Sequence, residues 1–323
     1  MPDTAATAAV PPFSNTGGNL SPIEYPTYPI ALIDWFAFTI TPPDGCGLDW
    51  LWPYLRDLFA LPSMEQEKRL GNWLGYATCF NLGGLGKLGI GGESQNGTIH
   101  VSLTGAGCAH VPNWQAVHDW LQTIKVRITR IDLAHDDFTG ETLNIEIAKR
   151  WYLEGLFKTG GRNPSHNVLG DWLDPDSPKG RTLGIGNRSS GKYARIYEKG
   201  KEQNFPNSRW TRAEVQLSGK SRVIPLDVLL RPCDYLAGAY PCFAFLSTVQ
   251  ERIRTVSKVV SMSFDAAVKH TRSTGGKVVN MLRTYHHGDD SKVVEALLRS
   301  GFPKRLAGYE DLLPLAKISG VDT

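Results

Sequence analysis

A tyrosine between two cations is the residue arrangement of this 323-residue chain that is best suited to chemistry. In the segment ARIYEK, Arg195, Tyr197 and Lys199 occupy every second position. Alternate residues of a strand share one face, so these three side chains are expected on one side of a sheet. Positive charge beside a phenol favours the phenolate, which is a nucleophile towards phosphorus. The pattern therefore predicts a tyrosine that meets a phosphate group.

Carboxylates alternate in the same way on two other segments. Asp132 and Asp136 share a phase in RITRIDLAHDD, and Arg212 and Glu214 share one in WTRAEVQL. Carboxylate oxygens suit Mg²⁺ or Mn²⁺, so we expect Asp132 and Glu214 to bind such an ion. Asp136 ranks after this pair. It lies roughly 13 Å along a straight strand from Asp132, so both could bind one ion only if the strand bulges or bends. Asp137 is a candidate only if a bulge turns its side chain to the same face.

These groups together suggest one reaction. A metal ion on the carboxylates would polarise a phosphodiester while Tyr197 attacks phosphorus, and Arg195 or Arg212 would balance the developing charge. This reaction is transesterification onto tyrosine, and it conserves the energy of the cut bond. The alternative is that Asp132 only forms an ion pair, with Arg130 or with Arg212, across the sheet.

The surrounding segments predict the elements that position these residues. ALIDWFAFTI and TIHVSLT alternate like strands, and helices are predicted at 48–59, 114–124 and 143–156. LGGLGKLGIGG has GxGxxG spacing, but no clear helix or ribose-binding acid follows it, so a hairpin of glycine-rich strands is favoured. The predicted fold class is α+β, with one or more antiparallel sheets, helices packed on one face and a C-terminal helical region.

Three segments are expected along the chain: a disordered leader at 1–30, a catalytic domain at 31–232 and a helical region at 233–323. In the last of these, Lys269, Arg272 and Lys277 bracket a Ser-Thr-Gly-Gly sequence that predicts a turn between two helices. Such a pair is compatible with a helix-turn-helix docked on duplex DNA. The region is equally compatible with a partner-binding surface or with a cap on the sheet.

Charge is distributed unevenly. The net charge is only +3, yet residues 181–231 hold 11 Lys and Arg against 4 Asp and Glu, and residues 251–305 hold 11 against 5. Local basic excess with interleaved aromatic residues favours nucleic acid over membrane as the partner. The candidates for DNA contact are Arg130, Arg188, Lys192, Trp210 and Lys201.

Cysteine usage and hydropathy exclude other classes. The five cysteines form no CxxC pair, which favours a reduced cytoplasm with buried thiols. No stretch approaches 18 consecutive apolar residues, and residues 1–30 lack the pattern of a signal peptide.

The order of the motifs ITRIDLAHDD, TLGIGNRSSGKYARIYEKGKE and WTRAEVQL resembles that of the Rep_trans replication initiation factors, the rolling-circle initiators of small plasmids and some filamentous phages. The segment GTIHVSLTGAGC resembles the filamentous-phage branch, and the likeness covers roughly residues 31–220. It implies an origin-nicking, strand-joining enzyme of the relaxase type. Such an enzyme leaves a 5′-phosphotyrosyl link, here at Tyr197, and a 3′ hydroxyl that primes synthesis.

The resemblance also implies partners and a location. Single-stranded and duplex origin DNA would be bound in the bacterial host cytoplasm with Mg²⁺ or Mn²⁺, and contacts with host helicase and polymerase or with a second copy of the chain are compatible with it. Family members commonly carry an aromatic residue where this chain has Gly184, and the chain has no His-hydrophobe-His motif. A non-catalytic DNA-binding regulator and a water-using metal nuclease stay open as alternatives, and Tyr193 stays open as a second nucleophile.

Overall fold

The structure is a computed structural model that describes residues 30–67, 73–174, 177–220, 222–251, 253 and 259–300. The chain divides into two compact units, residues 1–254 and residues 255–323. Apart from Ile30, the predicted leader lies outside the described residues.

The first unit contains ten strands and six α-helices among its described residues. The strands are β1 Ala31–Thr41, β2 Glu65–Gln66, β3 Thr78–Asn81, β4 Gly86–Ile90, β5 Ile99–Leu103, β6 Lys125–Asp137, β7 His166–Leu169, β8 Thr182–Asn187, β9 Lys192–Tyr197 and β10 Thr211–Ser218. The helices are α1 Leu48–Leu58, α2 Gly105–His110, α3 Trp114–Gln122, α4 Ile145–Leu153, α5 Lys199–Glu202 and α6 Pro232–Ala239.

All ten strands form one sheet in the order β2-β3-β4-β5-β1-β6-β10-β9-β8-β7, and every neighbouring pair is antiparallel. The predicted α+β class with an antiparallel sheet is therefore confirmed. Strand β6, the longest at 13 residues, lies between β1 and β10. The first strand of the chain, β1, and the last, β10, therefore pair with opposite edges of β6.

One face of the sheet packs against helices. Phe38 of β1 stacks on Phe59, which follows α1, with ring centroids 5.9 Å apart, and Phe36 meets Trp114 of α3 edge-on at 5.6 Å. Burying a phenylalanine or leucine side chain stabilises the fold by about 1.5–3 kcal/mol, so this layer supplies much of the stability. Asn113 and Asn144 start α3 and α4 by accepting hydrogen bonds from backbone N–H groups of the first turn.

The element predictions for this unit agree with the structure at each helix and at the glycine-rich segment. The helices predicted at 48–59, 114–124 and 143–156 are α1, α3 and α4. The GxGxxG segment forms the β3–β4 hairpin. Gly89 is required there because a Cβ atom would lie 2.8 Å from the ring of Tyr76. Helix α6 belongs to this unit, since it packs on β1 and β6, although the sequence pattern placed it with the C-terminal region.

The second unit contains α7 Val259–Tyr285 and α8 Asp290–Leu297. The turn predicted around the Ser-Thr-Gly-Gly sequence is wrong, because α7 runs through it without interruption. Each interior glycine costs a helix only about 1 kcal/mol relative to alanine, and neither Gly275 nor Gly276 has a positive φ. Asp289 caps α8 through the backbone N–H groups of Ser291 and Lys292. No helix in the described part of the chain is long and apolar enough to cross a membrane.

Candidate functional site

The face of the sheet opposite the aromatic core carries the predicted site. Strand register aligns three cross-strand rows: Tyr197, Arg212 and Asp136; Arg195, Glu214 and Ala134; and Tyr193, Gln216 and Asp132. The structure thus brings together on β6, β9 and β10 the residues that alternation in the sequence placed on one face.

Tyr197 lies between two cations, as its sequence context predicts. The Arg195 guanidinium is 4.9 Å and the Lys199 ammonium 5.6 Å from the centroid of its ring. Only 5% of the residue is exposed, and this burial raises the pKa of the phenol well above its usual value, against the opposing effect of Arg212 and Arg195. The nearby positive charge favours the phenolate as expected, but desolvation outweighs it and the pKa is raised.

A pocket opens beside Tyr197. It has a volume of about 240 Å³, and its lining includes Arg181, Arg195 and Glu198. The Glu198 carboxylate accepts hydrogen bonds from the backbone and side chain of Arg181. Lys199 forms an ion pair with Glu202 at 2.5 Å, so both cations and carboxylates surround the entrance to the phenol.

Arg212 is buried and joins two carboxylates. Its Nε and Nη2 donate to Asp136 at 2.8 and 2.6 Å, and its Nη1 donates to Asp34 at 2.8 Å. Trp210 also donates from Nε1 to Asp136, at 2.6 Å. Asp136 therefore binds an arginine and a tryptophan, and it forms no hydrogen bond with Asp132 or Glu214.

Asp132 and Glu214 lie next to each other. Asp132 accepts both hydrogen bonds of a bidentate pair with Arg130, with Nε at 2.8 Å, and Glu214 lies close enough for each carboxyl group to affect the pKa of the other. Glu214 accepts from Arg195, with Nη2 at 2.7 Å. Burial raises the pKa of both carboxyl groups, and the arginines oppose that effect. This ion pair with Arg130 is one of the two that were predicted as the alternative to metal binding by Asp132.

Asp34 is a site residue that the sequence prediction missed. It lies at an irregularity in the β1–β6 pairing between Ile33 and Trp35, which lets its carboxylate reach Arg212 across β6. Burial raises its pKa, and Glu214 lies close enough to add to that shift. The available signal was a single charged residue inside the otherwise apolar strand ALIDWFAFTI.

The donor chemistry of Asp132, Glu214 and Asp34 fits a divalent ion, since all three offer hard oxygen ligands. Within the residues that the structure describes, however, no three or more Asp, Glu, His or Cys side chains are arranged to hold a metal ion. An arginine binds each of these carboxylates: Arg130 binds both oxygens of Asp132, Arg195 binds Oε2 of Glu214, and Arg212 binds Oδ1 of Asp34.

Asp137 has a different task. It is on the opposite phase of β6 and accepts hydrogen bonds from four backbone N–H groups, those of Thr139, Gly140, Thr142 and Leu143. Burial alone would raise its pKa, but these hydrogen bonds lower it below the usual value. No bulge turns Asp137 toward the site, and its carboxylate instead shapes the loop that leads to α4.

The five residues predicted to contact DNA are placed unequally. Arg130 lies over the Trp35 ring at 4.4 Å, and the exposed Arg188 lies over Tyr193 at 5.3 Å, both beside the site. Lys192 points to the helical side, where its ammonium donates to the Ala239 carbonyl at 2.8 Å.

The other two predicted DNA contacts differ in burial. Lys201 is half-buried and its ammonium lies 3.6 Å from Glu198, whereas Trp210 is only 1% exposed. Stacking on a base needs an open ring face, so Trp210 supports Asp136 from the interior instead.

Gly184 makes space for Tyr193. A Cβ atom at Gly184 would overlap both the Tyr193 hydroxyl and the Asn167 side-chain oxygen. The volume that an aromatic residue on β8 would take is therefore filled by Tyr193 from the neighbouring strand β9.

Comparison with known proteins finds a matching family model and similar solved structures. The model of the family Rep_trans, replication initiation factor, matches residues 126–298, which is more than half of the chain. A rolling circle replication initiator protein from Geobacillus stearothermophilus is similar in structure, with 24% identity, a TM-score of 0.47, and coverage of 58% of this chain and 74% of that one. The search of curated proteins gave no match.

Proposed function

Because the chain belongs to the Rep_trans family of replication initiation factors, we propose that it starts rolling-circle replication by nicking one DNA strand at an origin and joining the new 5′ phosphate to Tyr197. The observation that carries this proposal is the setting of Tyr197, which lines an open pocket between Arg195 and Lys199 and stands opposite Arg212. A phenol in such a place meets an anionic phosphodiester with positive charge on several sides.

The proposed reaction is one transesterification. The Tyr197 oxygen forms a bond to phosphorus while the bond from phosphorus to the 3′ oxygen breaks, and the 3′ oxygen leaves as a hydroxyl after taking a proton. Since burial keeps the phenol protonated, its proton must leave as the new bond forms. Arg195, whose guanidinium is 4.9 Å from the centroid of the Tyr197 ring, is proposed to balance the negative charge that develops on the phosphoryl oxygens.

Asp132 and Glu214, with Asp34 beside them, are the residues that would hold Mg²⁺ or Mn²⁺. When bound, such an ion supplies polarisation of the phosphodiester and neutralisation of its charge. The carboxylates themselves balance the surrounding arginines and keep them oriented. Contacts with helicase or polymerase, a homodimer and a location in the host cytoplasm stay predictions from the family resemblance.

Adduct mapping tests the proposal. Purified protein is incubated with tiled single-stranded oligonucleotides from its own replicon and Mg²⁺ or Mn²⁺, and covalent protein-DNA species are resolved on denaturing gels and mapped by mass spectrometry. We expect one adduct, linked through Tyr197, and a free 3′ hydroxyl on the other fragment.

Two tyrosines on the same strand provide the matched comparison. Tyr197→Phe should lose the adduct while it still binds the oligonucleotide, and Tyr193→Phe should keep the adduct. An undiminished adduct in Tyr197→Phe would reject the nucleophile. Cleavage with free 5′ phosphates would indicate a water-using nuclease, and binding without cleavage would indicate a regulator.

A further inference from the structure

A second cavity lies along one edge of β1, apart from the pocket beside Tyr197. Strand β5 pairs with β1 only from Phe36 to Ile40, so in the described part of the chain the first half of β1 has no strand neighbour on that side. Helix α2 packs against β1. A cavity of about 360 Å³, the β1-edge cavity, lies between them, and its lining includes Ile33, Asp34, Ala109, Trp114, Arg212 and Leu229.

The size and the lining of the β1-edge cavity suit a flat organic molecule. Sites for such ligands have volumes of roughly 300–1,000 Å³ and combine apolar walls with a few polar groups that fix orientation. Here Ile33, Trp114 and Leu229 supply apolar surface. Asp34 and Arg212 supply the polar groups, so the cavity can recognise a ring that carries hydrogen-bonding groups on one edge.

Asp34 has one carboxylate oxygen that is available to a ligand. Its Oδ1 accepts a hydrogen bond from Nη1 of Arg212 at 2.8 Å, whereas no described residue donates a hydrogen bond to its Oδ2. The side chain is only 13% exposed, and burial raises the pKa of the carboxyl group. A largely buried acceptor gains from a hydrogen-bond donor, because leaving it without a partner costs free energy.

Arg212 connects the β1-edge cavity with the proposed nucleophile. It lines the cavity, and it stands opposite Tyr197 in the register of β9 and β10. The strand order β9-β10-β6-β1 separates the strand of Tyr197 from β1 by three strand spacings, or roughly 14 Å. A DNA strand whose phosphodiester lies at Tyr197 can therefore reach the cavity with a base that is a few nucleotides away.

The chemistry of Asp34 selects among the four bases. A carboxylate only accepts hydrogen bonds, and guanine presents two adjacent donors, N1–H and N2–H, on its Watson–Crick edge. Adenine and cytosine present a donor beside an acceptor, and thymine presents a donor between two acceptors, so each of them would place an acceptor near the carboxylate. Pockets for unpaired bases commonly combine hydrogen bonds to this edge with apolar contacts to the ring.

We propose that the β1-edge cavity binds a guanine base of the single-stranded origin DNA, with Asp34 accepting hydrogen bonds from its Watson–Crick edge and the apolar wall packing on its ring. This inference rests on the proposed function and adds a base-specific contact to it. A base held at β1 restricts which phosphodiester of the strand lies at Tyr197, so the contact contributes to the choice of the nick site.

Binding of short oligonucleotides that differ in one base tests the cavity without knowledge of the origin. Fluorescein-labelled oligothymidylates, in which one central thymine is kept or replaced by guanine, adenine, cytosine or hypoxanthine, are titrated with Tyr197→Phe protein and followed by anisotropy. We expect the guanine oligonucleotide to bind about tenfold tighter than those with thymine, adenine or cytosine. Hypoxanthine, which lacks the N2 amino group, should lose part of that advantage.

Variants in the same background assign the preference to the cavity. Asp34→Asn should lose the preference for guanine, because the amide presents a donor where the carboxylate accepts. Ala109→Phe should lose it by occupying the cavity, since Ala109 is exposed and lines it, and this change leaves the ion pair of Asp34 with Arg212 intact. His110→Phe is the matched control, because the same ring is placed on the next residue of α2, which is exposed and does not line the cavity.

Equal affinity for all five oligonucleotides would overturn the inference, as would a guanine preference that both Asp34→Asn and Ala109→Phe retain. If Asp34→Asn fails to fold, the comparison of Ala109→Phe with His110→Phe still decides. An adduct at Tyr197 in the wild-type protein without a guanine preference rejects only the base contact. A guanine preference without any adduct supports the base contact and rejects the nicking function.

Discussion

Arg212 stands directly opposite Tyr197 in the register of β9 and β10, and its guanidinium binds Asp136 and Asp34. The Arg212 side chain is 3% exposed and the two carboxylate side chains are 5% and 13% exposed, so the arginine supplies the positive charge that stabilises two carboxylates inside the site. Its position beside the tyrosine depends on these two ion pairs. The stability of the sheet and the electrostatics of the phenol are thereby linked through one residue.

Replacing Arg212 should unfold the protein more easily. In Arg212→Gln, Asp34 and Asp136 keep their burial but lose their counterion, so we expect the free energy of unfolding to fall by about 3–5 kcal/mol. Urea unfolding monitored by tryptophan fluorescence measures this change. Arg231→Gln, whose ion pairs are well exposed, should change the free energy of unfolding little. Equal losses in the two variants would contradict the role given to Arg212.

The pH dependence of stability should contain a contribution from His100. This residue lies between Tyr76 and Trp73 and contacts Thr39, and burial lowers its pKa from 6.5 to about 4. Between these values the unfolded chain binds the proton and the folded one does not, so stability is lost as the pH falls. The expected loss from this residue is about 3 kcal/mol between pH 6.5 and 4.

His100→Gln isolates that contribution, because glutamine can still hydrogen bond to Thr39 but does not titrate. The raised pKa values of Asp34, Asp132 and Glu214 act in the opposite direction, because protonation of these groups stabilises the folded protein as the pH falls. The relevant quantity is therefore the wild-type minus variant difference in unfolding free energy at each pH. A difference that does not change between pH 6.5 and 4 would refute the assignment.

Gly184→Ala should be destabilising through Tyr193. The new methyl group overlaps the tyrosine hydroxyl and the Asn167 side chain, and overpacking of this kind costs about 1–3 kcal/mol. The cost should shrink in a Tyr193→Phe background, which a double-mutant cycle of thermal or urea unfolding detects. Gly161→Ala is the control, because its methyl group meets open space. Additive effects of the Gly184 and Tyr193 changes would show that the two residues do not compete for volume.

The sequence was sufficient wherever a pattern is local. Alternation along one strand placed Tyr197 with Arg195, and the same alternation placed Asp132 and Glu214 on the face that they share in the structure. Helical periodicity and turn residues located α1, α3 and α4 for the same reason, because each is determined within a dozen neighbouring residues.

Features that depend on distant contacts were not accessible. The irregularity that turns Asp34 toward Arg212 arises from how β1 pairs with β6, and no spacing within either strand encodes it. The burial of Tyr197 comes from surrounding elements, which is why the sign of its pKa shift was missed. The α7 prediction was wrong for a different reason, since two glycines are a weak helix breaker when no proline accompanies them.

The pairing of Arg212 with Asp34 joins residues 178 positions apart. The ion pair can therefore form only after the ribosome has synthesised strand β10, long after Asp34 of β1. Loop closure over such distances makes folding slow, and until β10 pairs with it, β6 is an unfinished sheet edge that is exposed to aggregation. Premature termination before residue 212 leaves a product that has Asp132 but lacks Arg212 and Glu214, so the candidate site is completed late in synthesis.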